Sequence, residues 1–218
     1  MIIRRARPVV GKRHTCGPLN LKIAPGFESS DWNRLALDDP ESQDWPVAIR
    51  IFEARLRGRF IAPAEHLIAF EANLPRSERR FGFSVMAIEC LLIETLQAFI
   101  LGLTDTRDRS AEMFVGFLTY TPSFSPLFTT KLAKTFYEDF RCGIHHQAEI
   151  GRFSRVVSEG PLLELDGRGL VINRNEFHRC LTEEFAAYVL DLATSENNQL
   201  RANFRRKMDH IASFVGSA

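Results

Sequence analysis

Three side chains in the middle of the chain have the chemistry to act on a phosphate: Arg141, His145 and His146. Arginine carries a fixed charge and a planar fork of donors that matches phosphate oxygens. Imidazole titrates near neutrality and moves protons in either direction. RNA holds its own nucleophile, the 2′-hydroxyl. Cleaving it without a metal needs a base for that proton, an acid for the leaving oxygen, and a cation for the charge that develops on phosphorus. Leu132, Phe136, Phe140 and Ile144 recur at every fourth position, the stripe of a helix facing a core. On an unbroken helix Arg141 and His145 share one flank of that stripe, roughly 40° apart. Gly143 is a poor helix former, and a break there favours His146 instead. A helix C-terminus carrying cations that stabilise its last carbonyls would give the same pattern with no catalysis.

Arg141, four intervening residues and His146 close an aromatic-rich helix that follows a strongly apolar one. This arrangement resembles the signature of the HEPN superfamily (higher eukaryotes and prokaryotes nucleotide-binding domains). The likeness covers roughly residues 45 to 147 and a C-terminal helix. It implies a mostly α fold, a HEPN-like helical bundle. It also implies a metal-independent, cofactor-free endoribonuclease acting on RNA as a homodimer, with the two motifs facing each other. The products would be a 2′,3′-cyclic phosphate and a 5′-hydroxyl. On this likeness Arg141 holds the phosphate charge and His146 is the general acid/base, with His145 its rival. The setting it suggests is a toxin or antiviral defence effector restrained by a regulatory protein partner. Two positions depart from the family. Cys142 stands where a polar residue is common, and Ala148 where some toxin–antitoxin relatives carry a modifiable tyrosine. The alternatives are a non-catalytic helical module that binds a nucleotide or protein partner through Arg141, or a purely structural homodimer.

The whole chain narrows these options. Its 218 residues suit one domain, and 18 phenylalanines point to an aromatic core. A net charge of +1 gives no global attraction to nucleic acid, so an RNA site must rest on a local basic patch. Cys16, Cys90, Cys142 and Cys180 are dispersed, and with no secretory signal they read as reduced thiols in a cytoplasmic protein. The most apolar run, Val85 to Leu103, carries Glu89, Glu94 and Gln97, which marks a buried helix and not a membrane span. Walker, Ser–His–Asp and zinc signatures are absent.

The elements that must position the motif follow from periodicity and punctuation. Residues 1–43 read as an extended basic arm and connector, with Arg4, Arg5, Arg7, Lys12, Arg13 and His14, and residues 44–218 as the helical domain. Asp44 before Trp45-Pro46 marks a helix start, and Pro63 predicts a break or kink. Arg50, Arg55, Arg57 and Arg59 form a solvated face or a nucleic-acid patch. Glu89 and Glu94 fall on the apolar helix, where a carboxylate needs a partner. Either they pair structurally, or one of them, with Cys142, supports Arg141 or a histidine. Ser110 to Tyr120 reads as a short helix, and Ser125-Pro126 as the start of the motif helix. Residues 149–172 alternate as two or three strands of a hairpin, a flap that would bring Arg152 and Arg155 to the phosphate. Asn173 predicts a cap for a helix to Leu192, and another helix spans Leu200 to Val215. Arg201, Arg205, Arg206 and Lys207 on that last helix are a solvated face or the rim of an RNA groove.

Overall fold

In the computed structural model, which describes residues 20–194 and 198–213, the apolar run forms α4, Gly82–Leu101, and the other helices are laid around it. The basic residues 4–14 and Cys16 lie outside the described residues. In chain order, a hairpin of β1 (Lys22–Ala24) and β2 (Phe27–Glu28) leads into a short α1 (Ser29–Asn33). Next come α2 (Trp45–Leu56), a π-helical turn at Arg57–Ile61, α3 (Ala62–Glu71), α4, and α5 (Ser110–Tyr120). Helix α6 (Thr130–Phe136) runs on without interruption as a π-helix over Tyr137–Gln147. Strands β3 (Arg155–Val157), β4 (Leu163–Asp166) and β5 (Gly169–Asn173) precede α7 (Arg174–Thr194) and α8 (Asn198–Ser213). The chain is thus mostly α with two small sheets.

Residues 20–31 are not an extended arm, and the connector that follows them is packed into the domain. Ile23, Ala24, Trp32 and Leu37 are buried in the same core as the helices. Trp32 packs edge-on against Phe204 of α8 and donates its indole N–H to Asp209 at 2.7 Å. Burying an indole with its polar tip satisfied is a large gain for one side chain, and the sequence contains no periodic pattern that would announce it.

Pro63 neither breaks nor visibly ends the run. A proline removes one backbone donor and crowds the carbonyl four residues earlier, here Arg59. The chain widens into the π-turn Arg57–Ile61 just before it, and α3 then begins with Pro63 in its first turn. Ser125-Pro126, expected to start the motif helix, instead lies in a turn. The helix starts four residues later, where the Thr129 hydroxyl caps it by accepting from the Leu132 N–H at 3.3 Å.

Phenylalanine dominates the core, as the composition implies. Phe52 meets Phe99, Phe185, Tyr188 and Phe204 at ring separations of 4.7 to 5.7 Å. Phe136 of α6 stacks between Phe140 and Phe177, at 4.8 and 5.2 Å. These contacts fix the base of the motif helix against α7. Helix α4 has the length and apolarity to cross a membrane, but 56% of its apolar window is buried within the protein.

The predicted hairpin is present as β4 and β5, joined at Gly167, while β3 adds to β5 in parallel. It is not a flap. All of β5 is buried, and the sheet packs on the start of α4, where the Gly82 backbone leaves room for Val156. The same end carries a buried ion pair. Glu71 of α3 accepts from the backbone N–H groups of Arg80 and Phe81 and pairs with Arg174 at 2.5 Å. It thereby ties α3, the entry to α4 and the first residue of α7 together. Burial would raise the Glu71 carboxyl, but those two N–H groups and Arg174 outweigh it and hold it below its ordinary value. Asn173 caps α7 as expected, its side-chain oxygen accepting from the N–H of Asn175 at 3.0 Å.

Candidate functional site

The winding of the motif helix decides which histidine meets the arginine. A π-helix bonds residue i to i+5, so side chains five apart meet where an α-helix would bring together those four apart. Arg141 and His146 are five apart, and a guanidinium N–H donates to His146 Nε2 at 3.3 Å. Tyr137 and Cys142 are also five apart; burial first, then the thiol beside it, pushes the Tyr137 hydroxyl above its ordinary value. His145 turns back along the helix, its Nδ1 3.0 Å from the Arg141 carbonyl oxygen.

Gly143 does not break the helix. It lies inside the π-helix, and a Cβ there would come within 2.5 Å of the Glu149 carbonyl oxygen. The helix ends five residues later at Ala148 in the left-handed region (φ 54°), and the chain folds back so that the N–H of Glu149 donates to the Gly143 carbonyl at 3.2 Å. The residue that looked like a helix breaker is the seat for the returning chain.

Helices α4 and α5 hold Arg141 from the other side. Its guanidinium reaches Glu94 and the Ser110 hydroxyl, each at 3.4 Å, and lies over the Tyr137 ring at 5.9 Å. Glu94 in turn accepts from Ser110 at 2.7 Å and Thr106 at 2.9 Å. Arg141 and Glu94 are 20% and 17% exposed, so the pair is shielded yet still reachable from solvent. Arg141 lines the wall of a cavity of about 400 Å³ with Glu94, Thr106, Arg107, Asp108, Ser110 and Tyr137. His146 is exposed beside it. Ser110 and Thr106 were not legible as site residues; a hydroxyl at a helix start is ordinary, and only folding brings them to Glu94.

The other predicted residues are engaged elsewhere. Glu89, a candidate support for Arg141, is fully buried and bonds His178 Nδ1 of α7 at 2.7 Å. Burial raises the Glu89 carboxyl, with His178 opposing. Burial alone would lower the His178 imidazole, but Glu89 outweighs it and holds it above its ordinary value. Arg152 lies over Phe153, and Arg155 pairs with Asp166 at 2.5 Å, so the sheet brings neither to Arg141. Cys142 is half-buried beside Tyr137. Among the described residues, no three His, Cys, Asp or Glu side chains are grouped to hold a metal ion.

A guanidinium that donates to Nε2 requires that nitrogen to carry its lone pair, which leaves the proton of the neutral ring on Nδ1. Nε2 is then the free proton acceptor whenever an anion draws Arg141 away. The arrangement is a paired cation and base at the edge of a cavity. No family model matches the chain, and no curated protein or solved structure is significantly similar to it.

Proposed function

We propose that the chain is a HEPN-like helical bundle acting as a metal-independent endoribonuclease on cytoplasmic RNA, as a homodimer. The observation that carries this reading is the 3.3 Å contact between Arg141 and His146 beside an open cavity. Arg141 takes two oxygens of the scissile phosphate. An imidazole accepts the 2′-hydroxyl proton as the 2′-oxygen bonds to phosphorus, and an imidazolium gives a proton to the 5′-oxygen as the P–O5′ bond breaks. The fixed charge of Arg141 is worth most on the doubly charged phosphorane, in a site partly shielded from water. One motif supplies one such histidine, so the second proton carrier comes from the motif of a second copy. A toxin or defence role, with a regulatory protein partner, belongs to the same reading.

The test is cleavage of a mixed RNA pool in EDTA by wild type, His146→Ala and Arg141→Ala. Wild type is expected to leave cyclic-phosphate ends, and each substitution to slow cleavage by about 100-fold or more. Equal cleavage by all three proteins would overturn the assignment. The hold of Glu94 on Arg141 favours a second reading, a non-catalytic module binding a nucleotide phosphate. Calorimetric nucleotide binding, with no RNA turnover at high protein concentration, would establish it in place of the first.

A further inference from the structure

Arg141 also lines a second cavity, of about 360 Å³, whose walls include Arg55, Arg59, Thr106, Glu94 and Lys207. Four cations thus face one carboxylate. A third cavity continues past Arg55, Arg59 and Lys207 to Lys22 and Thr104. Shared lining residues set the three cavities next to one another, as a groove of cations that begins at the motif and is flanked by α2, α4 and α8. The cations come from separate elements: Arg55 from the last turn of α2, Arg59 from the π-turn before Pro63, and Lys207 from α8.

These cations are held in place without being neutralised. Arg55 and Arg59 both donate to the Ile23 carbonyl, at 2.5 and 3.4 Å, and Lys207 donates to the Thr104 carbonyl at 3.1 Å. Among the described residues, no carboxylate forms an ion pair with any of the three. Asp105, the acid closest in effect to Lys207, is bonded to Arg107 at 2.8 Å. Burial and the neighbouring Arg59 lower Arg55 to about 10, and burial and Arg55 lower Lys207. Like charges crowded in a half-buried groove cost free energy unless an anion occupies it. Carbonyl anchors fix the direction of the side chains and leave their charge available.

We propose that Arg55, Arg59 and Lys207 form a second phosphate site, which takes backbone phosphates of single-stranded RNA flanking the one held at Arg141. The phosphate chemistry stands on the cation cluster itself; assigning it to RNA rests on the function proposed above. A single strand suits the groove because its flexible backbone can bring successive phosphates to cations drawn from separate elements. The site then sets a minimum length for tight binding, and affinity depends steeply on salt.

The experiment is fluorescence anisotropy of a labelled single-stranded RNA dodecamer at several salt concentrations. It uses wild type, Arg59→Gln, Lys207→Gln and their double variant, with Arg34→Gln as a matched charge-loss control and circular dichroism to confirm folding. Arg59 and Lys207 are preferred to Arg55, which is more deeply tied to the β1 backbone. Each groove substitution is expected to weaken binding about fivefold or more and to reduce the slope of log affinity against log salt by about 0.7, with Arg34→Gln unchanged. Unchanged affinity and slope in the double variant would overturn the site. Tripolyphosphate binding as tightly as the dodecamer would overturn the RNA assignment. Weakened binding in the groove variants, beside a wild type that never cleaves RNA, would uphold this site and remove the ribonuclease. Cleavage lost with His146, beside unaltered groove binding, would do the reverse.

Discussion

Two of the arginine-lined cavities among the described residues differ sharply in how their cations are paired. One lies where the sheet meets the start of α4 and is lined by Arg76, Arg79, Arg80, Arg155 and Arg174. There Glu159 pairs with Arg76 and Arg79, Asp166 with Arg155, and Glu71 with Arg174. The other is the groove of Arg55, Arg59, Arg141 and Lys207, in which Glu94 alone answers the four cations. The first is slightly larger, about 420 against 360 Å³, and holds more arginines. Four of its five arginines nonetheless have a carboxylate partner, and Arg80 donates to the Glu78 carbonyl at 3.4 Å. Pairing, more than the number of arginines, separates a structural cluster from one that can receive an anion.

This contrast predicts that damage to the first cavity is read in stability and damage to the second in binding. Glu71→Ala leaves Arg174 buried without a partner and frees two backbone N–H groups at the entry to α4. It should destabilise by about 3–5 kcal/mol in urea or thermal unfolding. A loss below about 1 kcal/mol would mean that Arg174 finds solvent, and the contrast would weaken.

The buried Glu89–His178 pair sharpens the same point inside the core. His178 is raised, so its contribution is fully present below its ordinary value of about 6.5 and is lost as pH rises through the higher folded value. The raised Glu89 acts in the same direction, because the folded pair keeps a proton that the unfolded chain releases. Stability should therefore fall as pH rises, from about 4.5 through Glu89 and from about 6.5 through His178, by at most about 1.4 kcal/mol per pH unit for each proton retained. Glu89→Gln should flatten that slope while leaving RNA affinity in the groove unchanged. A slope that persists in the variant would place its source elsewhere.

The smallest effect is expected at Arg155→Gln. Its pair with Asp166 is more than half exposed on both sides. Stability should change by less than about 1 kcal/mol, and RNA affinity should match wild type. Weaker RNA binding here would show that the sheet cavity does contact the substrate, and the contrast would fail.

Much of the helical framework was legible because it rests on local signals. The stripe Leu132, Phe136, Phe140 and Ile144, the Asn173 cap and the span of α5 each depend on neighbours within about one or two turns. Where the reading went astray, a distant contact had overridden the local signal. Gly143 looked like a break until the Glu149 carbonyl was seated against it. The arm and connector before α2 looked separate from the helical domain because Trp32 finds its partners, Phe204 and Asp209, far along the chain. Ser125-Pro126 carried a start signal that the Thr129 cap superseded.

The sequence by itself determined the helical class, the phenylalanine core, and the presence of an arginine and two histidines at one helix end. The tertiary structure decided which histidine meets the arginine, because the π-winding places residue i+5 where an α-helix would place i+4. It also decided that Glu94 holds Arg141 while Glu89 is committed to His178. It gathered Arg55, Arg59 and Lys207 from three segments onto one groove. Such groupings depend on packing between elements far apart in the chain, and no local periodicity encodes the distance between them.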